Sequence, residues 1–156
     1  MEISVRLSRI KDLEDIRDLI NKEHEKSNAV MEVSKENVEK WIRNRNSVVA
    51  VAEGRIVGHE ALDIWPESKW LELRSAVVLE EFRCRGIAYK MTKMLVDRFI
   101  KKNPKTIFVA IKNKTEKGNG ILVEMGFHEI GLGEVPQELF TIRSHSERRA
   151  FKLETK

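Results

Sequence analysis

The chain has 156 residues, enough for one continuous hydrophobic core and too few for two ordinary domains, so we expect a single domain over residues 1–156. Hydrophobic residues make up 41% of the sequence, which excludes a disordered chain. The net charge of +4 comes from lysines interleaved with glutamates rather than from a basic stripe, so the sequence does not favour a nucleic-acid partner.

Several kinds of protein are also disfavoured by what the sequence lacks. It has no apolar run of about 18 residues and no signal-peptide pattern at its amino terminus, so we expect a cytoplasmic protein with no membrane partner. The single cysteine, Cys84, excludes an internal disulfide framework. Four scattered histidines show no metal-ligand spacing, and we predict no metal.

The first half of the chain is predicted to begin with a strand over residues 3–7 and a helix over residues 12–24. A second helix should follow Ser34, a plausible N-cap. Two strands, 48–52 and 56–64, should then form a hairpin turned at Glu53-Gly54. Pro66 should end the second strand, because proline cannot donate to a ladder.

The second half is predicted to place a buried strand over residues 71–79, a helix from Ile87 and another strand over 106–111. A helix over 115–125 and strands near Phe127 and over 150–153 should follow. The strand-helix-strand order indicates a parallel crossover, and hence a mixed α/β sheet with helices on both faces. Residues 132–141 are expected to be an exposed excursion through which two copies could pair as a homodimer.

The loop over residues 83–88 carries the strongest functional signal. A helix that begins at a glycine has unpaired N–H groups at its positive end, and such an end binds phosphate. Gly86 allows a sharp turn and a close approach of the backbone to a ligand. Arg83 and Arg85 add guanidinium groups beside it. The pattern predicts a site for a phosphorylated cofactor, and the alternative is a basic strand-to-helix turn with one glycine.

The arrangement R-x-x-G-x-A between a strand and a helix resembles the acetyl-coenzyme A loop of the GNAT superfamily of N-acetyltransferases. The strand ELRSAVV, residues 72–78, resembles that of the branch that includes N-acetylglutamate synthase-like enzymes. The segments GILVEMGF, residues 120–127, and VPQEL, residues 135–139, also resemble family segments. The resemblance implies the GNAT acyltransferase fold, with a mixed sheet of about six to seven strands.

The resemblance also implies acetyl-CoA as co-substrate. In the family, the central strand pairs with the pantetheine arm, and the loop that follows holds the pyrophosphate through backbone donors. The cofactor-binding residues that this implies here are Ala76, Val77, Val78, Arg83, Cys84, Arg85, Gly86, Ile87, Ala88, Tyr89 and Asn113.

Two carboxylates are candidate catalytic bases. Glu72 stands at the position of the catalytic glutamate in histone-acetylating members, and the alternative is that it pairs with Arg74 on the same face of its strand. Glu60 is a second candidate base, or a ligand for a cationic amine, whereas its neighbour His59 is expected to be a packed surface histidine. Leu122 stands where many members have a tyrosine that acts as the general acid, and the alternatives for that role here are water, Asn113, Thr115 and Asn119.

These features imply transfer of acetyl to a primary amine. The ELRS strand favours an amino acid or another small molecule as the acceptor. A protein amino terminus or lysine is an alternative acceptor, which would make a peptide the partner. A non-catalytic module that binds coenzyme A is a further alternative, motivated by the missing tyrosine.

Overall fold

The computed structural model describes residues 2–27, 30–113, 119–140 and 148–155, apart from the side chains of Asn113 and Phe140. These described residues contain seven strands and four α-helices. In order they are β1 (Ile3–Leu7), α1 (Leu13–Ser27), α2 (Lys35–Arg43), β2 (Ser47–Ala52), β3 (Arg55–Ile64), β4 (Leu71–Val78), α3 (Ile87–Lys102), β5 (Ile107–Asn113), α4 (Gly120–Glu124), β6 (His128–Ile130) and β7 (Arg148–Glu154).

Local sequence signals account for several of these boundaries. The hydroxyl of Ser34 accepts a hydrogen bond from the backbone N–H of Asn37 at 3.2 Å, which caps α2 as predicted. Glu53 and Gly54 have φ values of 51° and 77° and form the predicted hairpin turn between β2 and β3. Of the predicted helix over 115–125, the described part is α4, and residues 114–118 lie outside the described residues.

The strands form one mixed sheet in the order β1-β2-β3-β4-β5-β7-β6. β1 and β2 pair antiparallel, as do β2 and β3. β4 and β5, which precede and follow α3 in the sequence, pair in parallel. β7 pairs antiparallel with both β5 and β6. The mixed seven-stranded sheet confirms the predicted fold class.

The chain divides into two compact units, the first made of residues 1–62 and 74–95. Apolar side chains of α1 and α2 pack there on one face of the strands, with Ile16, Ile20 and Trp41 against Val49 and Ala61. The first part of α3 packs on the opposite face of β3, where Thr92 contacts Glu60 and Met91 lies next to Gly58. Helices therefore cover both faces of the strands in this unit.

The second unit comprises residues 63–73 and 96–156. Its core cluster joins Val109 and Ile111 of β5, Ala150 of β7, and Val135 and Leu139. The expectation of an exposed excursion over residues 132–141 holds only in part for the described residues, because Val135 and Leu139 are buried. Two short 3₁₀ helices, Leu132–Glu134 and Gln137–Phe140, form there, and Leu139 has no exposed surface.

Leu132, Val135 and Leu139 pack with the apolar cluster of this unit, and Val135, in an extended conformation, lies between the two 3₁₀ helices. Val135 and Leu139 are fully packed and Leu132 is partly buried. Gly133, Glu134 and Gln137 of this segment are exposed, and the homodimer stays a prediction.

Candidate functional site

β4 leaves its parallel ladder in the middle of its length. The ladder pairs Leu71, Glu72 and Leu73 with residues 108–110 of β5, and β4 then continues through residues 74–78. Ser75, just beyond the ladder, has a φ of 52°, which is rare for a residue with a side chain. The predicted cofactor residues Ala76, Val77 and Val78 follow this irregularity. On the edge of β4 that pairs with β5 over residues 71–73, these residues lie outside the described ladder and are suited to pairing with an extended ligand, whereas β3 pairs with the other edge.

The loop after β4 turns sharply twice before α3 begins. Cys84 and Gly86 have φ values of 63° and 78°, and both residues are exposed. A Cβ built on Gly86 would meet no atom within 4 Å, so the space in front of this backbone is open. The N–H of Lys90 donates to the carbonyl of Gly86 at 3.1 Å and makes the first bond of the helix. The N–H groups of residues 87–89 precede that bond and form the positive end of α3.

The two arginines of the loop differ in their surroundings. The Nε of Arg83 donates to the carbonyl of Val78 at 2.9 Å, and its guanidinium forms a 2.6 Å ion pair with Glu23 of α1. Arg85 is exposed, donates to the carbonyl of Glu81 at 3.3 Å, and lies over the Phe82 ring at 5.5 Å. Arg83 therefore braces the start of the loop, while Arg85 lies along its surface.

Glu72 lies in the second unit and has no exposed surface. Its Oε1 accepts a hydrogen bond from the indole Nε1–H of Trp65 at 3.1 Å. Because Glu72 pairs with Val109 in the ladder, its side chain shares a face with the apolar cluster of this unit, against which Trp65 and Trp70 also pack. A buried carboxylate must be hydrogen-bonded, and Trp65 supplies one such bond.

Glu60 lies in the first unit, 3% exposed, on the face of β3 that meets α3. Its Oε1 accepts a hydrogen bond from the hydroxyl of Thr92 at 2.6 Å, and both side chains are buried. Glu60 is therefore part of the packing between the strand and α3.

His59 occupies the opposite face of β3 and is wholly buried, so the expectation of a surface histidine is wrong. Its ring lies 5.7 Å from that of Trp41, and its Nδ1 is 3.0 Å from the carbonyl oxygen of Ser75. The alternation of side chains along β3 explains this burial: His59 lies between Val57 and Ala61, which are also buried. Burial lowers the pKa of His59 to about 4, and the Ser75 contact opposes that shift only in part.

Asn113 ends β5, where its backbone pairs with Arg148. Leu122 is buried in α4. No group of three or more metal-ligating side chains occurs among the described residues. Within that same part of the chain, no helix has the length and apolar character needed to cross a bilayer.

Two contacts and one backbone conformation of this region were not predicted. Trp65 and Glu72 are seven residues apart, and Glu23 and Arg83 are sixty residues apart. Neither separation produces a periodic pattern that reveals a contact. The positive φ of Ser75 also has no local signal, because glycine and asparagine are the residues that mark such positions.

The fold and loop geometry define a class of protein that the comparisons identify. Residues 13–127 match the model of the Acetyltransferase (GNAT) family. The chain belongs to that family. A comparison with curated proteins found no match.

Solved structures with the same fold include enzymes named for different acceptors. N-acetylglutamate synthase from Neisseria gonorrhoeae, complexed with coenzyme A and N-acetyl-glutamate, has a TM-score of 0.81 and 18% identity over 100% of this chain. This chain spans 36% of the length of that synthase chain.

Two further structures are similar over most of their own lengths. Ribosomal-protein-alanine N-acetyltransferase from Brucella melitensis has a TM-score of 0.76 and 20% identity, covering 97% of this chain and 99% of that one. A phosphinothricin acetyltransferase from Sinorhizobium meliloti, in complex with AcCoA, has a TM-score of 0.76 and 16% identity, covering 99% and 89%. At these identities the likeness establishes the fold.

Proposed function

We propose that this protein is an acetyl-CoA-dependent N-acetyltransferase that transfers acetyl directly to the primary amine of an amino acid or another small molecule. The observation that carries the proposal is the course of β4: it leaves its ladder before Ala76 and leads directly into the loop at the positive end of α3. An extended cofactor arm and a pyrophosphate would bind to these two consecutive stretches of backbone.

Backbone donors are the proposed ligands of the pyrophosphate. The N–H groups of residues 87–89 precede the first helical bond, and the open space at Gly86 leaves room for phosphate oxygens. The Arg83 guanidinium already contacts Glu23 and the Val78 carbonyl, so its proposed role is to hold the loop. Arg85 is exposed and adds positive charge beside the loop.

Glu72 is the proposed general base. Acetyl transfer needs a deprotonated amine to attack the thioester carbonyl, and a carboxylate can accept the amine proton directly or through water. The indole of Trp65 can only donate, so its contact with Oε1 suits an ionised carboxylate. The carbon–sulfur bond then breaks and the coenzyme A thiolate takes up a proton, for which we propose solvent because Leu122 replaces the tyrosine of other members.

The small acceptor is proposed from two observations. The ELRS strand, residues 72–75, resembles that of the N-acetylglutamate synthase-like branch. The structures that share the fold include a synthase complexed with N-acetyl-glutamate. Because a ribosomal-protein-alanine N-acetyltransferase also shares the fold, peptide amino termini belong in the acceptor panel.

The test measures two quantities on the purified chain. Calorimetry gives the Kd for acetyl-CoA, and a thiol reagent gives the release of free coenzyme A with amino acids, polyamines and peptide amino termini as acceptors. We expect binding, together with thiol release on amino acids or small amines. Binding without thiol release from any acceptor would favour the non-catalytic module, and release only with peptides would favour a protein acetyltransferase.

Gly86→Glu and Gly54→Glu are a matched pair for the loop. Both glycines have positive φ, 78° and 77°, and open space where a Cβ would be, so the backbone strain of the two substitutions is similar. Gly86→Glu adds a negative charge at the proposed phosphate site, and Gly54→Glu adds it in the hairpin turn. We expect loss of acetyl-CoA binding only in Gly86→Glu; equal losses would contradict the proposed site.

A further inference from the structure

The structure points to a role for His59 in the proposed function. We propose that His59 is a positioning residue that fixes the peptide between Ser75 and Ala76, and with it the Ala76 N–H, in the orientation that binds acetyl-CoA. This inference rests on the proposed function, since Ala76 belongs to the proposed cofactor strand.

The contact that carries the inference is the 3.0 Å approach of His59 Nδ1 to the carbonyl oxygen of Ser75. A carbonyl oxygen can only accept, so the ring proton lies on Nδ1. Burial keeps the pKa of His59 near 4, and the neutral ring therefore carries that single proton at neutral pH. His59 is then a fixed donor whose direction is set by the packing of β3.

The geometry of the peptide bond transmits this contact to Ala76. The described chain has no cis peptide bonds, and in a trans peptide the C=O and N–H point in opposite directions. When His59 holds the Ser75 oxygen, the Ala76 N–H points away from the His59 ring. Ser75 adopts a φ of 52°, a conformation that costs free energy in a residue with a side chain, and the hydrogen bond from His59 offsets that cost.

The other ring nitrogen of His59 shows that packing alone does not explain the residue. Nε2 is buried and has no hydrogen-bond partner among the described residues. Trp41 packs against the ring at a centroid distance of 5.7 Å. A hydrocarbon side chain of similar size would fill this place without leaving a buried nitrogen unpaired. The property that histidine adds here is the Nδ1 donor.

Two amide substitutions separate the donor from the rest of the side chain. In His59→Asn the amide nitrogen can take the position of Nδ1, and in His59→Gln it lies one carbon farther along, nearer to the position of Nε2. We expect His59→Gln to raise the Kd for acetyl-CoA about tenfold and His59→Asn to change it by less than about threefold. The backbone N–H resonance of Ala76 should shift in His59→Gln and stay near its wild-type position in His59→Asn.

Equal effects of the two substitutions on the Kd and on the Ala76 resonance would overturn the inference. If wild-type protein binds no acetyl-CoA, the proposed function fails, and the Ala76 resonance alone then decides whether His59 orients the peptide. If neither variant folds, the ring ¹⁵N resonances of wild-type His59 are the deciding measurement. A proton on Nδ1 supports the inference, and a proton on Nε2 overturns it.

Discussion

The indole Nε1–H of Trp65 donates to Oε1 of Glu72 over 3.1 Å, and Glu72 is completely shielded from solvent. The two residues come from the segment between β3 and β4 and from β4 itself. The turn that carries Trp65 is held by Glu138, whose carboxylate accepts the backbone N–H groups of Glu67 and Ser68 at 3.2 and 2.7 Å. A residue of the segment between β6 and β7 thus stabilises the turn from which the indole reaches the proposed base.

Trp65→Phe should lower the turnover number of acetyl transfer about tenfold with little change in the KM for acetyl-CoA. Phenylalanine keeps an aromatic ring in the cluster and removes the N–H that orients Glu72. The free energy of unfolding should fall by about 1–3 kcal/mol, because a buried carboxylate oxygen loses a donor. Steady-state thiol release and urea unfolding measure the two effects.

Trp70→Phe is the matched control for this prediction. Trp70 packs against the same cluster, and its ring faces the Nζ of Lys152 at 5.4 Å, a contact that a phenyl ring can retain. Its turnover should stay close to that of the wild type. Equal losses of turnover in Trp65→Phe and Trp70→Phe would show that ring packing, and not the indole N–H, supports catalysis.

The sequence predicted the elements well because their signals are local. Ser34 caps α2, and Glu53-Gly54 turns the hairpin. Candidate site residues could be proposed from the sequence only where a motif is contiguous, as in the loop that contains Gly86, and they stay predictions. The partners of Glu72 and His59 are set by tertiary packing, which has no local sequence signal. The positive φ of Ser75 could not be predicted either, because serine is not a residue type that favours it.

His59 should make the protein less stable in acid. Its pKa is about 4 in the folded chain, against an ordinary value of 6.5. Between these two pH values the unfolded chain binds a proton that the folded chain excludes, so stability falls as the pH falls. Wild-type protein should lose about 3 kcal/mol more unfolding free energy than His59→Asn between pH 6.5 and pH 4.

Urea unfolding across this range, at constant ionic strength, measures the difference. Comparison with His59→Asn cancels the contribution of other groups that titrate in acid. His128→Asn, a substitution of an exposed histidine, is the control for the change of residue type. If wild type and His59→Asn lose stability in parallel, His59 does not exclude the proton in the folded state.

Thr92→Val should weaken the fold by about 1–3 kcal/mol, because the buried carboxylate of Glu60 loses a donor at 2.6 Å and valine has nearly the same shape as threonine. Urea unfolding measures this loss. Turnover should change by less than about threefold, since the proposed role of Glu60 is in packing against α3.

The two candidate bases can be separated by the same isosteric change. Glu72→Gln should lower turnover by about 10²-fold or more, as expected for a general base, whereas Glu60→Gln should lower it less than about threefold. Acetyl-CoA binding, measured by calorimetry, controls for damage to the cofactor site. If Glu60→Gln binds acetyl-CoA but loses turnover, and Glu72→Gln keeps its turnover, then Glu60 and not Glu72 is the general base.

Glu23→Gln should weaken acetyl-CoA binding about three- to tenfold. The substitution keeps the size of the side chain and removes the charge that holds Arg83 at 2.6 Å. The loop is then less ordered in the free protein, and ordering it on binding costs part of the binding free energy. Calorimetry at low and high salt measures the effect, which should shrink at high salt because the Arg83 side chain is half exposed.

Glu39→Gln is the control, because Glu39 pairs with Arg43 at a similar distance, 2.8 Å, within α2. It should leave acetyl-CoA binding unchanged. Tighter binding in Glu23→Gln would mean that releasing Arg83 provides a phosphate ligand, as the resemblance implied. Weaker binding means that the ion pair between Glu23 of α1 and Arg83 of the loop contributes more to affinity than a released Arg83 would as a phosphate ligand, since the N–H groups of residues 87–89 precede the first helical bond and are the proposed phosphate donors.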